Sequence, residues 1–250
     1  MRSPTFLFVS QIFAHLALIF LIFSGSALEW SICFGVYFLT GCFGMSMTYH
    51  RLLSHKSWRA PKWFKWLGAL LGTIGLTGSA LAWVAIHRQH HASPDKPKDP
   101  HSPNVHTWWN VQFFSMYYRP NLRFVKDLLK DKFIIGCHRH YLSIQFAYIG
   151  LLFIADPKAV IYAYLAPAAI LWHGGSLINT IGHKWGYRNF SIADKSVNNP
   201  LLGFLMWGEG WHNNHHAKPN SKSFKIKFWE IDISYLFIKI FETKRKKFSL

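Results

Sequence analysis

The sequence predicts an all-α integral membrane protein, with four transmembrane helices and one further helix that is interfacial or re-entrant. Three observations lead there. Half of the 250 residues are apolar, with Phe 22, Trp 12 and Tyr 10 against only 28 basic and 11 acidic side chains, which disfavours a disordered or fibrous chain. The apolar residues gather into uncharged runs that, at about 1.5 Å per residue, approach the roughly 30 Å of bilayer hydrocarbon. The basic residues are segregated from the first two runs: none lies in 3–49, while 50–139 and 179–250 hold nearly all of them. Basic segments gathered on one side mark the cytoplasmic face. The +17 net charge is therefore no sign of nucleic-acid binding, which would need a compact basic fold. Cys33, Cys42 and Cys137 form neither a CxxC pair nor an even framework, so disulfide stapling is not expected.

The elements follow in order. The run 5–23 is interrupted only by Ser10, Gln11 and His15, and 30–49 is uncharged. Arg2 and Gly25-Ser26-Ala27 mimic the ends of a signal peptide, but the apolar stretch exceeds a typical h-region and a second run follows at once. Both are read as spans. Further on, 138–155 and 159–180 are apolar, punctuated by Asp156-Pro157-Lys158 as a tight turn outside the hydrocarbon, so they read as a helical hairpin. The stretch from Tyr141 is short for a span, and is expected to begin before His140. The segments 50–137 and 181–250 are cytosolic, and 1–250 forms one domain. The run 66–86 passes a hydropathy filter, yet Gly68, Gly72, Gly75 and Gly78 at helical spacing equally suit a tight packing face. Hydropathy does not decide whether it crosses.

The histidines do. Fifteen are present, eight of them in three groups: His50 and His55 in HRLLSH, His87, His90 and His91 in HRQHH, and His212, His215 and His216 in HNNHH. Positions i, i+3 and i+4 share a helix face, so each triplet can aim its imidazoles at one point. Neutral imidazole is a good ligand for iron, zinc or copper, and eight such groups exceed the needs of one ion, so the pattern implies two metals. His50 and His55 point about 140° apart on a regular helix; they serve two different metals or span a helix end. Asn179 and His183, four apart, can present side by side after the last run, bringing the count to nine. His15 reads as a packed or hydrogen-bonded histidine, and His101, His106, His138, His140 and His173 have no grouping. If 66–86 crossed, HRQHH would emerge opposite HRLLSH, so this segment lies along the interface or re-enters. Four crossings then leave both termini and all grouped histidines cytoplasmic. A metal transporter, the competing class, would place ligands within the spans, whereas these follow the spans or lie between them.

The three boxes resemble those of the membrane fatty acid desaturases, specifically the delta-9 or stearoyl-CoA type. The likeness extends to Asp99-Pro100-His101-Ser102, to Asn179 through His183 with Gly186-Tyr187-Arg188, and to the run from Trp207 to His216. It implies four transmembrane helices under a cytosolic helical cap that holds a dimetal centre of two ferrous ions. The ligands it implies are His50, His55, His87, His90, His91, His183, His212, His215 and His216, with a water held by Asn179. The implied reaction is oxygen-dependent insertion of a cis double bond between carbons 9 and 10 of a saturated acyl chain carried on CoA or a glycerolipid. Related membrane di-iron hydroxylases use similar histidines but insert oxygen. An unactivated methylene offers no acidic proton, so the hard chemistry belongs to the metals and dioxygen, and no nucleophile is needed.

Metal-bound imidazoles usually donate their second N–H to a carboxylate or carbonyl, which makes Glu209, Asp99 and Asp194 candidate orienters; Asp95 and Asp99 also read as ordinary loop residues among Pro94, Pro97 and Pro100. Arg88, Arg119, Arg123 and Lys184 are candidates for CoA or lipid phosphates, bilayer phosphates or an acidic electron donor. Animal acyl-CoA members carry Arg two positions before the second box, where this chain has Ala85; that departure favours an acyl-lipid substrate. The basic run 244–247 reads as a membrane-surface patch. Electrons are expected from a separate protein, ferredoxin or a cytochrome b5-like carrier, and the expected location is a bacterial inner membrane.

Overall fold

The computed structural model describes residues 4–114 and 118–243, so the basic run 244–247 lies outside the described residues. Helix α1 (Pro4–Ser24) turns through Gly25 and Ser26 into α2 (Ala27–Phe38). A capping box makes this turn: the Glu29 carboxylate accepts from the Ser26 N–H at 2.7 Å, and the Ser26 hydroxyl accepts from the Glu29 N–H at 3.3 Å. Helix α2 runs on without a break into a π-helical stretch, Leu39–Ser54. Its larger turn shows in the i to i−5 bond from the His55 N–H to the His50 carbonyl, 3.2 Å.

Among the described residues three helices are long and apolar enough to cross a membrane: Thr5–Ser24, Ala27–Ser54 and Ile161–His183. This corrects the expectation of four transmembrane helices. The run 138–155 does not extend backwards as one helix, because His140 (φ −99°, ψ 26°) divides it. Helix α6 (Lys132–Arg139) ends there, and α7 (Tyr141–Ala155) keeps only 15 residues, about 22 Å against roughly 30 Å of hydrocarbon. The third spanning helix opens with a π turn, Ile161–Leu165, continues as α8 (Ala166–Thr180) and closes with a 3₁₀ turn, Ile181–His183.

The run 66–86 folds back on itself. Helix α3 (Lys62–Ile74) is joined to α4 (Ala80–Ala92) by a turn in which Leu76 (φ 60°) and Gly78 (φ 99°) adopt left-handed backbone. The glycine spacing is a packing face. A Cβ on Gly68 would meet the Thr48 side chain, one on Gly44 would lie 2.5 Å from the Gly72 backbone, and one on Gly72 would lie 2.6 Å from the Tyr49 ring. Helix α3 therefore runs antiparallel to the π-helical stretch, and α4 returns with Trp83 beside Tyr49 (ring centroids 6.0 Å apart), carrying the second histidine box up to the first. The remaining helices, α5 (Trp108–Phe114), α9 (Pro200–Leu205), α10 (His212–Ala217) and α11 (Ile233–Phe241), are short. The loops between them close over the histidines.

Candidate metal centre

Nine histidines from four stretches of chain converge into two adjoining groups. One contains His50, His55, His87, His91 and His215, and the other His90, His183, His212 and His216; within each, one ring nitrogen per residue lies within 4.8 Å of all the others. Local geometry explains the convergence. On the π-helical stretch, at roughly 4.4 residues per turn, positions five apart differ by about 50° rather than 140°. His50 and His55 therefore enter the same group, their ring centroids 5.0 Å apart. The two triplets split between the groups instead of each serving one: α4 sends His87 and His91 to the first and His90 to the second, and α10 sends His215 to the first and His212 and His216 to the second. Between the α10 histidines stand two asparagines that anchor the cap. The Asn213 amide oxygen accepts the Asn189 and Phe190 N–H groups, both at 2.9 Å, and Asn214 donates to Glu230 and to the Phe224 carbonyl, both at 2.9 Å.

Carboxylates hold the outer nitrogens. The Glu209 carboxylate contacts His50 Nδ1, Asp99 accepts from His90 Nδ1 at 2.8 Å, and Asp194 accepts from His216 Nδ1 at 3.1 Å. Sequence reasoning named these three acids. It passed over Asp95, whose Oδ1 lies 3.4 Å from His183 Nδ1 and whose carboxylate also accepts from Ser102 and Asn104. Asp95 stands among prolines and four residues from Asp99, where nothing in the sequence sets it apart from a loop residue. Arg51 was also missed. It is fully buried, donates to Asp232 Oδ1 at 2.9 Å, faces Glu209 Oε1 at 3.3 Å and stacks on Phe224 at 4.0 Å.

This donor set fits two divalent cations. His90 and His216 each commit Nδ1–H to an aspartate, so their Nε2 atoms, 3.2 Å apart, face one another as bare lone pairs. That contact is repulsive unless a cation is shared, and two nitrogens about 2.1 Å from one ion at 90–109° lie about 3.0–3.4 Å apart. The pairs His50–His215 at 3.0 Å, His91–His215 at 2.9 Å and His183–His212 at 3.1 Å repeat the spacing. Burial and neighbouring imidazoles push His55 down to about 2 and hold His87, His91, His212 and His215 well below the usual histidine range. Burial lowers His216 to about 4 against the pull of Asp194. All six are neutral at physiological pH, the form that binds metal. Burial raises the carboxyls of Asp95, Asp99, Asp194 and Glu209, but the hydrogen bonds they accept, and for Glu209 also the Arg51 guanidinium, bring each below its ordinary value. Four carboxylates thus surround the centre, matching the charge of two divalent ions, with Arg51 and Asp232 cancelling one another.

An apolar cavity opens onto the histidines. His50, His87, His212 and Asn179 stand at its polar end, and Trp83, Ile86, Leu171, Met206 and Trp207 form its walls. Asn179 donates to the Gly175 carbonyl at 3.3 Å. The model for the family described as "Fatty acid desaturase" matches residues 28–232. The chain is a membrane fatty acid desaturase. It is 35% identical over 217 residues, 83% of this chain and 76% of the other, to the sn-2 palmitoyl-lipid 9-desaturase of Nostoc sp. (strain 36). To the sn-1 stearoyl-lipid 9-desaturase of Anabaena variabilis it is 32% identical over 212 residues (83% and 78%). An acyl-CoA C20 Delta5-desaturase of Anemone leveillei matches at 32% over 232 residues (88% and 74%). The two histidine groups are those of a di-iron desaturase.

The other expected contacts are placed as follows. Arg88 is held inside the fold: its guanidinium grips both Asp127 oxygens at 2.7 and 3.0 Å and donates to the Leu53, Ser54 and Phe124 carbonyls. It pins the 122–128 segment to the end of the π-helical stretch. Arg119, Arg123 and Lys184 are exposed to solvent. His15 lies away from both groups, donating from Nδ1 to the Gln11 carbonyl at 2.6 Å and meeting His173 Nε2 at 2.8 Å.

Proposed function

We propose that this desaturase inserts a cis double bond at carbon 9 of a saturated acyl chain esterified in a membrane lipid. The reaction takes –CH2–CH2–, dioxygen, two electrons and two protons to –CH=CH– and two waters. The observation that carries the reading is the apolar cavity ending against both histidine groups. In this proposal His50, His55, His87, His91 and His215 hold one iron, and His90, His183, His212 and His216 hold the other, with Asn179 contributing through a water. When bound, the two irons supply the oxidising power that an unactivated C–H bond requires. The chain's own residues do the rest. Trp83, Ile86, Leu171 and Trp207 exclude water and fix the depth of the acyl chain, while Glu209, Asp99, Asp194 and Asp95 favour, in His50, His90, His216 and His183 respectively, the tautomer that presents Nε2.

The lipid carrier is supported by Ala85, which stands where animal acyl-CoA members carry Arg, and by the likeness to the two acyl-lipid 9-desaturases of Nostoc and Anabaena. The exposed Arg119, Arg123 and Lys184 are assigned to phosphates or to an acidic one-electron donor, a ferredoxin before a cytochrome b5-like protein. The concentration of basic residues in 50–139 and 179–250 supports a cytoplasmic metal site, the relatives from Nostoc and Anabaena support a bacterial inner membrane, and one family match over 28–232 supports a single domain over 1–250. Expression in a host lacking its own desaturase, followed by fatty acid analysis, tests the reading. A 9-monounsaturated product that is absent from a His215→Ala control is expected. A hydroxylated product would point to hydroxylation instead, and a double bond elsewhere would overturn the position.

A further inference from the structure

We infer that the segment 199–210 and helix α11 are immersed in the hydrocarbon of the leaflet next to the metal centre, their outer faces contacting lipid acyl chains. The sequence partition assigns both to the cytosol, but depth can be read against α2. Counting from Ala27 at about 1.5 Å per residue, roughly 30 Å of hydrocarbon extends to about residue 46. What touches α2 at positions 37–43 therefore lies at membrane depth. The Tyr37 hydroxyl donates to the Leu205 carbonyl at 3.1 Å, and the Tyr37 ring packs 4.7 Å from that of Trp207. Phe237 of α11 packs 5.8 Å from Phe38 and 5.1 Å from Phe43.

The outward faces at that depth are apolar and bare. On α9, Leu201 is 66% exposed and Phe204 60%; on α11, Leu236 is 50% and Ile240 71% exposed, and the one charged residue of that helix, Lys239, is exposed beside them with its ammonium over the Tyr235 ring at 5.3 Å, a long side chain that can carry its charge to the headgroups. The Ser234 N–H bonds to the Trp207 carbonyl at 3.0 Å, so the two faces adjoin, and both continue the lipid-facing surface of α2. Exposed apolar surface of this extent marks a partner, and its continuity with a membrane span makes that partner the bilayer. Hydrocarbon also demands that the backbone satisfy itself. Asn199 meets this condition at the neck of the segment: its N–H bonds to the Gly210 carbonyl at 2.9 Å, its carbonyl accepts from Gly203 at 2.8 Å, and its side chain accepts from Leu202 at 3.1 Å. The one charged residue of 199–210, Glu209, turns inward to His50 and Ser46. Met206 and Trp207 line the acyl cavity while Leu205 and Phe204 face outward, so one layer of side chains separates the cavity from the bilayer.

The test needs no turnover, so its failure is distinct from failure of the assigned reaction. The wild-type protein in phosphatidylcholine–phosphatidylglycerol vesicles is irradiated with a phosphatidylcholine bearing a diazirine in its acyl chain, and adducts are mapped by mass spectrometry. Adducts on the peptides holding Leu201–Leu205 and Leu236–Ile240 are expected, as on α1. In parallel, nitroxides are attached at Phe204→Cys, Ile240→Cys and, as a water-side reference, Lys225→Cys; the three native cysteines are buried. Collisions with a polar nickel chelate should be about tenfold rarer at the first two sites than at the third. Lipid adducts confined to the spanning helices, or nickel collisions at Phe204→Cys and Ile240→Cys equal to those at Lys225→Cys, would overturn the inference.

Discussion

Replacing Glu209 by Gln keeps the shape of the side chain and removes its charge. The carboxylate contacts His50 Nδ1 and Ser46 Oγ and faces Arg51 at 3.3 Å. The amide oxygen can still accept the His50 proton, but a charge-assisted bond becomes a neutral one, a loss of about 1–1.5 kcal/mol. Weaker polarisation of His50 lowers its basicity toward metal, and outer-shell changes of this kind cost about 10–100-fold in metal affinity, about 1.4–2.7 kcal/mol. The fold should survive, because Arg51 retains both oxygens of Asp232 at 2.9 and 3.1 Å. Dialysis against a graded series of chelator concentrations, with iron counted per chain, reads the effect. One iron should leave at about 10–100-fold lower chelator strength than in the wild type while the second is retained. Asp99→Asn, acting through His90, should weaken the other site instead. Simultaneous loss of both irons in Glu209→Gln, or retention indistinguishable from wild type, would refute the assignment of Glu209 to one group through His50.

The metal-free protein should lose stability as pH falls from 7 to 5. His216 and the other lowered histidines bind fewer protons folded than unfolded between their native values, about 4 for His216, and about 6.5. Stability therefore rises with pH through that window and is lost on acidification, by up to about 1.4 kcal/mol per pH unit per histidine; a melting temperature that is flat over pH 5–7 would contradict the buried neutral cluster. Arg51→Met leaves Asp232 and Glu209 as uncompensated buried neighbours and should cost about 3–5 kcal/mol, seen as a loss of folded protein that Arg51→Lys partly restores. Gly72→Ala drives a Cβ into the Tyr49 ring and should cost about 1–3 kcal/mol, whereas Gly136→Ala, inside α6 with nothing within 4 Å of the added Cβ, should melt above wild type, stabilised by about 0.4–1 kcal/mol. Arg88→Met should lower the melting temperature by removing the Asp127 clamp, while Arg123→Met, at an exposed site, should leave it unchanged.

The ligand types, their grouping and the need for two metals were legible in the sequence, because imidazole chemistry and i, i+3, i+4 spacing are local properties. So was the inability of 66–86 to cross: both neighbouring boxes must share a side, and the structure meets this with a hairpin turned at Leu76 and Gly78. The number of spanning helices was not legible. Hydropathy adds 138–140 to the run after it, but the backbone breaks at His140, a conformational event no composition window registers. The partition of the triplets escaped for a related reason. By spacing alone a helical face serves one ion, yet each triplet is shared between two centres, and the larger π-helical turn brings His50 and His55 to the same one. Asp95, Arg51 and Asp232 acquire their roles only where distant segments meet, since a carboxylate reads as a loop residue until its buried partner is in place. Residue chemistry and periodicity thus fixed what the protein can bind. Tertiary packing alone decided which side chains share an ion and which carboxylates hold them, because those relations depend on how separate segments pack, over separations that run from 9 residues (His90 to Asp99) to 165 (His50 to His215).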